Sequence, residues 1–297
     1  MKSSTAPLVI FSFNRPNKIK KLFKSLKKNR LSKFSKIYIF QDNFKLEKDK
    51  KNIEQNIHFF KCLKGFKKIK FILRKKNYGF YKNFYSGLNY FFKYEKKGII
   101  LEDDLIVSRY FLNYMNDALN KYESNKKLWH ISGWNYDIKI QNKYDAYFGK
   151  HISSWGWATW RDRFLKYEKE PQKLLKWTNK QIRKFNLNDS YNFYSQIIRN
   201  NIGAIDTFAI FWYATIFKNK GFTLFPKKSL VINNGIGKDA THTKKTNFFI
   251  NHKISQKKSF IFPDEVIEDT IISKKIENYF KQERIKNCFL RIFKFFK

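Results

Sequence analysis

The chain is short of cysteine, short of acid, and without a long apolar run. Cys62 and Cys288 are its only cysteines in 297 residues. They are too few for a disulfide framework, which predicts a reducing compartment. No stretch of about 18 apolar residues occurs, so no segment is expected to span a bilayer. The apolar part of MKSSTAPLVIFSFNRP at the start is too short for the core of a secretory leader. A GxxxxGK[ST] phosphate loop is missing, and GIGKDA at 235–240 lacks a third glycine and follows no early strand of a βαβ unit. The common nucleotide-binding fingerprints are therefore excluded. Together these absences predict a cytoplasmic protein whose membrane contact is peripheral, at the inner face.

The scarcity of acid is quantitative: 24 Asp and Glu stand against 62 Lys and Arg, a formal net charge of +38. Such a balance alone suggests nucleic acid or an anionic membrane as partner. Lysine far outnumbers arginine, however, and is spread along most of the chain, so much of the excess reads as solvated surface. What is present in quantity is apolar: 42% hydrophobic and 19% aromatic residues, a globular composition with enough length for a sizeable core.

The order of patterns is strand, then helix. APLVIFSF at 6–13 is a nearly continuous apolar run ending in NRPNK, the mark of a buried parallel strand followed by a loop and helix. KIYIFQD at 36–42, KKIKFILRKKNYG at 67–79 and KGIILEDD at 97–104 read as further strands. FYKNFYSGLNYFFKY and RYFLNYMNDALNKY read as amphipathic helices. This alternation predicts an α/β domain with a mostly parallel central sheet. Ligands of such sheets bind beyond the carboxyl ends of the strands, where Asn14, Asp42 and Glu102 to Asp104 all fall. LWHISGWN at 128–135 and SSWGWATWRDRF at 153–164 hold five of the seven tryptophans.

Three adjacent carboxylates behind an apolar strand repel one another, and a divalent cation relieves that most directly. A hard ion takes one or two of them and completes its shell with water and phosphate oxygens, an arrangement suited to a diphosphate leaving group. The alternative is a solvated turn with an Asp capping the next helix.

GIILEDDLIVSRYFLNYM, preceded by NYGFYKNFYSGLNYFF and followed by LWHISGWN and SSWGWATW, resembles the metal-dependent GT-A glycosyltransferases. Among these it is most similar to bacterial sugar transferases related to N-acetylglucosaminyltransferase I. The resemblance covers about residues 6–243 and implies a GT-A catalytic domain over 1–243. Residues 244–297 are read as a lysine-rich linker and a basic amphipathic C-terminal helix, with Ile285, Phe289, Ile292, Phe293 and Phe296 on one face.

The resemblance also implies roles. Asn14, Arg15, Asp42 and Asp103 would bind the nucleotide, with Asp42 on a uracil base. Glu102, Trp155, Gly156 and Trp157 would meet the donor sugar. Asp104, joined by His242, would hold Mn2+ or Mg2+. Asp206 would be the catalytic base of an inverting transfer, although it reads equally as the N-cap of a helix starting at Thr207. Phe208 stands where the family commonly has Trp. The implied partners are a nucleotide-sugar donor, with UDP as its nucleotide, a surface-glycan or lipid-linked acceptor, and an anionic membrane touched by the tail. The competing reading is a non-catalytic protein gripping single-stranded nucleic acid, which leaves the acidic strand end unexplained.

Overall fold

The computed structural model describes residues 5–235 and 254–295, with side chains described as far as residue 285. His242 lies outside the described residues. The strands are β1 (Leu8–Ser12), β2 (Lys36–Gln41), β3 (Lys68–Leu73), β4 (Lys97–Glu102), β5 (Leu105–Val107), β6 (Leu128–Ser132), β7 (Ala146–Gly149), β8 (Trp157–Trp160), β9 (Phe222–Pro226) and β10 (Val231–Asn233). The helices are α1 (Pro16–Lys27), α2 (Glu47–Lys61), α3 (Phe80–Tyr94), α4 (Phe111–Lys121), α5 (Arg161–Phe164), α6 (Pro171–Leu174), α7 (Asn179–Phe185), α8 (Tyr194–Asn201), α9 (Ala209–Lys218) and α10 (Thr270–Phe295).

Eight strands form one sheet in the order β3-β2-β1-β4-β8-β6-β9-β7. β3, β2, β1 and β4 are parallel. β8 lies antiparallel between β4 and β6, β9 parallels β6, and β7 closes the edge antiparallel. The α/β class and the mostly parallel sheet are those the sequence predicts.

β1 shows why. All five residues of LVIFS are buried, as a strand covered on both faces requires. Leu8 and Ile10 join a cluster with Ile19, Leu22 and Leu26 of α1 and Leu112 and Met115 of α4. Val9 and Phe11 point the other way, into a cluster with Phe84, Leu88 and Phe91 of α3 and Trp212 of α9. The period of two in the strand thus builds two cores. After β1 the chain turns to β2 on one side, and β4 returns on the other. The crevice between the carboxyl ends of β1 and β4 is therefore a topological switch point.

Two readings change here. The tryptophan-rich stretches are largely buried strands of the sheet, and Trp157 is 1% exposed among Phe208 and Trp212. The segment beyond 243 is no separate appendage where it is described. Phe262, Val266, Ile272, Ile276 and Phe280 are buried in the first core, each contributing about 1.5–3 kcal/mol by leaving water. Ile285 is exposed. Phe289, Ile292, Phe293 and Phe296 lie outside the residues whose side chains are described. No described helix is long and apolar enough to cross a membrane.

Candidate functional site

The two strand ends at the switch point interlock. Phe11 pairs with Glu102 in register. Two residues on, the Phe13 N–H donates to Asp103 Oδ2 at 3.3 Å. Arg15, ahead of α1, sets Nη1 2.9 Å from Asp104 Oδ2 and 3.4 Å from Asp103 Oδ1. Pro16 at the first turn of α1 fixes the chain's exit and leaves Arg15 turned toward β4.

Asp103 is 7% exposed. Burial raises the proton affinity of both Glu102 and Asp103, the charge of Asp104 raises it further, and Arg15 opposes the rise. Three acids confined at one strand end are thus under-compensated, which fits a cation. Among the described residues no three His, Cys, Asp or Glu side chains converge as a metal-binding set. An ion here would draw most of its ligands from water and phosphate, in the manner of Mg2+ or Mn2+.

The acidic motif is braced from behind. β5 continues directly from it and pairs antiparallel with β10, Leu105 opposite Asn233. The Asn234 N–H then donates to the Asp104 carbonyl at 2.7 Å. A Cβ at Gly235 would lie 2.0 Å from Asp104 Oδ2, so any larger residue there would displace the Asp104 carboxylate. Gly156 is held at φ +66°, and a Cβ there would stand 3.0 Å from Val231 and 3.3 Å from Leu101, the residue before Glu102. Trp155, the residue before Gly156, is half-buried and packed edge-on to Trp134 at 4.9 Å.

Other candidates are used differently. Asp42, 3% exposed, is filled by the loop before α3. Its Oδ1 accepts from the Tyr78 N–H at 2.8 Å and the Asn43 N–H at 3.0 Å. Its Oδ2 accepts from the Gly79 N–H at 3.0 Å and Asn77 Nδ2 at 3.4 Å. A carboxylate has about four acceptor sites, so these four contacts make Asp42 a clamp for the loop before α3. Asn14 donates to Asp49 Oδ1 of α2 at 2.6 Å and anchors the loop that carries Arg15. Trp157, turned into the core, does not face the rim.

Asp206 is no helix cap: α9 begins at Ala209, and its N-cap position is Phe208. The Asp206 side chain is 65% exposed and pairs with Lys169 Nζ at 2.5 Å. Lys169 in turn lies 3.6 Å from the centroid of Tyr81, in the first turn of α3. Phe208 packs on Phe84 at 4.8 Å and on Trp157 at 6.2 Å, and Trp157 pairs with Ile100, two residues before Glu102. These contacts put Asp206 on the same edge of the sheet as the acidic motif. Lys169 and Tyr81 have no part in the sequence reading. Gly235 enters it only as the first residue of GIGKDA, a failed nucleotide fingerprint.

The GNT-I family model matches residues 1–168, which include the acidic motif and everything from β1 to β8. No curated protein matches the chain. A solved structure similar to it is the crystal structure of GalNAc-T7 with UDP, GalNAc and Mn2+. The TM-score is 0.49 at 10% sequence identity, with 81% of this chain and 45% of that one covered. This chain thus spans less than half of that protein. Because the family match takes in more than half of the sequence and all three strand-end carboxylates, the chain belongs to the GNT-I family of glycosyltransferases.

Proposed function

We propose that the chain transfers a sugar from a nucleoside-diphosphate donor, with UDP as the nucleotide, to a hydroxyl of a surface-glycan or lipid-linked acceptor, with inversion. The observation that carries this reading is the meeting of Glu102, Asp103, Asp104 and Arg15 at the switch point of the sheet. The Arg15 guanidinium suits a diphosphate oxygen, since its planar fork matches phosphate geometry. Asp103 accepts from a ribose hydroxyl, and Glu102 and Trp155, with Gly156 beneath, border the donor sugar. Asp104 would hold Mn2+ or Mg2+, with His242 as a further ligand. Such an ion supplies charge neutralisation for the departing diphosphate.

Asp206 takes the proton of the acceptor hydroxyl as that oxygen bonds to the anomeric carbon and the bond to the diphosphate breaks. Lys169 and Tyr81 orient its carboxylate. The setting is cytoplasmic, at the inner membrane face, with the basic C-terminal helix as the contact.

Calorimetric titration with UDP, with and without Mn2+, tests the reading. Mn2+-dependent binding is expected in the wild type and should weaken about 100-fold, near 2.7 kcal/mol, in Asp104→Ala. Absence of UDP binding in both proteins would reject the nucleotide assignment. Steeply salt-dependent affinity for single-stranded DNA would then favour the nucleic-acid reading.

A further inference from the structure

A cleft of about 930 Å3 opens on the opposite edge of the sheet. Gly221 and Phe222 line it at the start of β9, where the Phe222 N–H donates to the Lys127 carbonyl just ahead of β6. β9 parallels β6, and both run in the direction of β4 through the antiparallel β8 between. The amino end of β9 is therefore the end away from Glu102 to Asp104. The end of α9 and the first turns of α10 form the walls, together with the chain on either side of α7.

Three kinds of group line the cleft. Trp177, Phe217 and Phe222 are half-buried and present apolar surface. Lys184, Lys220 and Lys274 are exposed at it and form no salt bridge among the described residues. Between them stand hydroxyl, amide and carboxylate groups, among them Ser273, Asn188 and Glu277.

One wall is strained. Leu187, Asn188 and Asp189 have consecutive φ values of +50°, +53° and +62°, a left-handed run that L-residues with side chains avoid. Such conformations persist where the surroundings over-determine them, and they concentrate at ligand sites. Here Asn188 Nδ2 donates to Glu277 Oε1 at 2.7 Å, and Arg284 Nη1 donates to the Asp189 carbonyl at 3.4 Å. Both bonds tie the turn to α10 and keep Leu187 and Asn188 at the cleft.

We propose that this cleft is a second saccharide site, for an acidic glycan bearing carboxylate or phosphate groups. Aromatic faces with a few placed polar groups suit a sugar's C–H surface and hydroxyls. The free lysines suit its anionic substituents. Glu268 and Glu277 accept from hydroxyls but oppose a continuous phosphate backbone, which favours a saccharide over nucleic acid. The mixed polar wall is unsuited to an acyl chain. The site is independent of the transfer site and of the nucleotide used there.

Thermophoresis of the full chain at about 150 mM salt tests it. The probes are hexagalacturonate for carboxylate and a pentamannose phosphate for phosphate, against neutral maltohexaose and oligo-dT. Binding of one acidic probe is expected to weaken about tenfold or more in Lys184→Glu/Lys220→Glu/Lys274→Glu and in Trp177→Ala. Lys20→Glu/Lys24→Glu/Lys51→Glu, with the same change of net charge on α1 and α2, should stay within about threefold of the wild type. Melting temperatures identify any variant that fails to fold, and Trp177→Ala and Lys220→Gln are then read singly. Equal loss in both triple variants, no binding of either acidic probe, or tighter binding of oligo-dT than of both would overturn the proposal.

Discussion

The two edges of the sheet carry opposite charge in different physical states. At the carboxyl edge, Glu102, Asp103 and Asp104 are consecutive and largely withdrawn from water, and burial together with the charge of Asp104 raises the proton affinity of Glu102 and Asp103. At the amino edge, Lys184, Lys220 and Lys274 come from three separate elements and stand in solvent, where water and salt screen them. A net charge of +38 therefore says little about where charge does chemistry. Confinement decides it, and the scarce acid is the confined kind.

The sharpest separation of the edges comes from Asp206→Asn. Turnover of a nucleotide-sugar should fall about 100- to 10,000-fold, while donor affinity and acidic-glycan binding at the amino edge stay unchanged. Retained turnover would move the base elsewhere. Gly235→Ala is expected to act next most strongly, because its methyl group competes with Asp104 Oδ2 for space. Nucleotide affinity with Mn2+ should drop about tenfold without a comparable loss at the amino cleft. Unchanged affinity by calorimetry would mean that Asp104 shifts freely.

The smallest effect is a pH dependence confined to the acidic edge. A carboxyl group whose folded pKa is raised keeps a proton that the unfolded chain has released. Its stabilising contribution is present at low pH and lost as pH rises above the ordinary carboxylate value of 4.5 through the raised one. Glu102→Gln should therefore melt about 2–4 °C above the wild type at pH 8, roughly 1 kcal/mol, with the gap closing near pH 4. A gap independent of pH would show that neither burial nor the neighbouring carboxylates raise the proton affinity of Glu102. His130 and His151 work oppositely, since burial lowers both to about 3. They remove stability as pH falls below 6.5, from wild type and variant alike.

The parallel half of the sheet was legible in the sequence because strands buried on both faces are written as continuous apolar runs. The polar residues that end them mark the rim, which is how Arg15 and Glu102 to Asp104 could be found. Asp42 ends β2 by the same pattern as the acids that end β4, yet the loop at 77–79 arrives some 35 residues later to claim its oxygens, and nothing local announces it. Trp155 and Trp157 are two apart and would share a strand face. The left-handed Gly156 turns the chain just ahead of β8, which starts only at Trp157, so Trp157 enters the core while Trp155 stays half-buried outside the strand. In α10 the buried face is Ile272, Ile276 and Phe280, an i, i+4, i+8 row set among polar neighbours. The denser aromatic pattern further along drew the amphipathic reading to itself.

β7 is the last strand of the sheet, bonded to β9 on one side only. On its other side the Asp145 N–H meets the Ile261 carbonyl and the Asp269 N–H meets that of Phe148, while Phe262 covers Tyr114 and Tyr122. The segment after 254 is thus a selvedge: it finishes a border that would otherwise fray into contacts with other chains. A chain cut at 243 would keep every residue of the acidic rim and yet present a bare strand and uncovered aromatic rings. It would be expected to precipitate rather than to lose its chemistry.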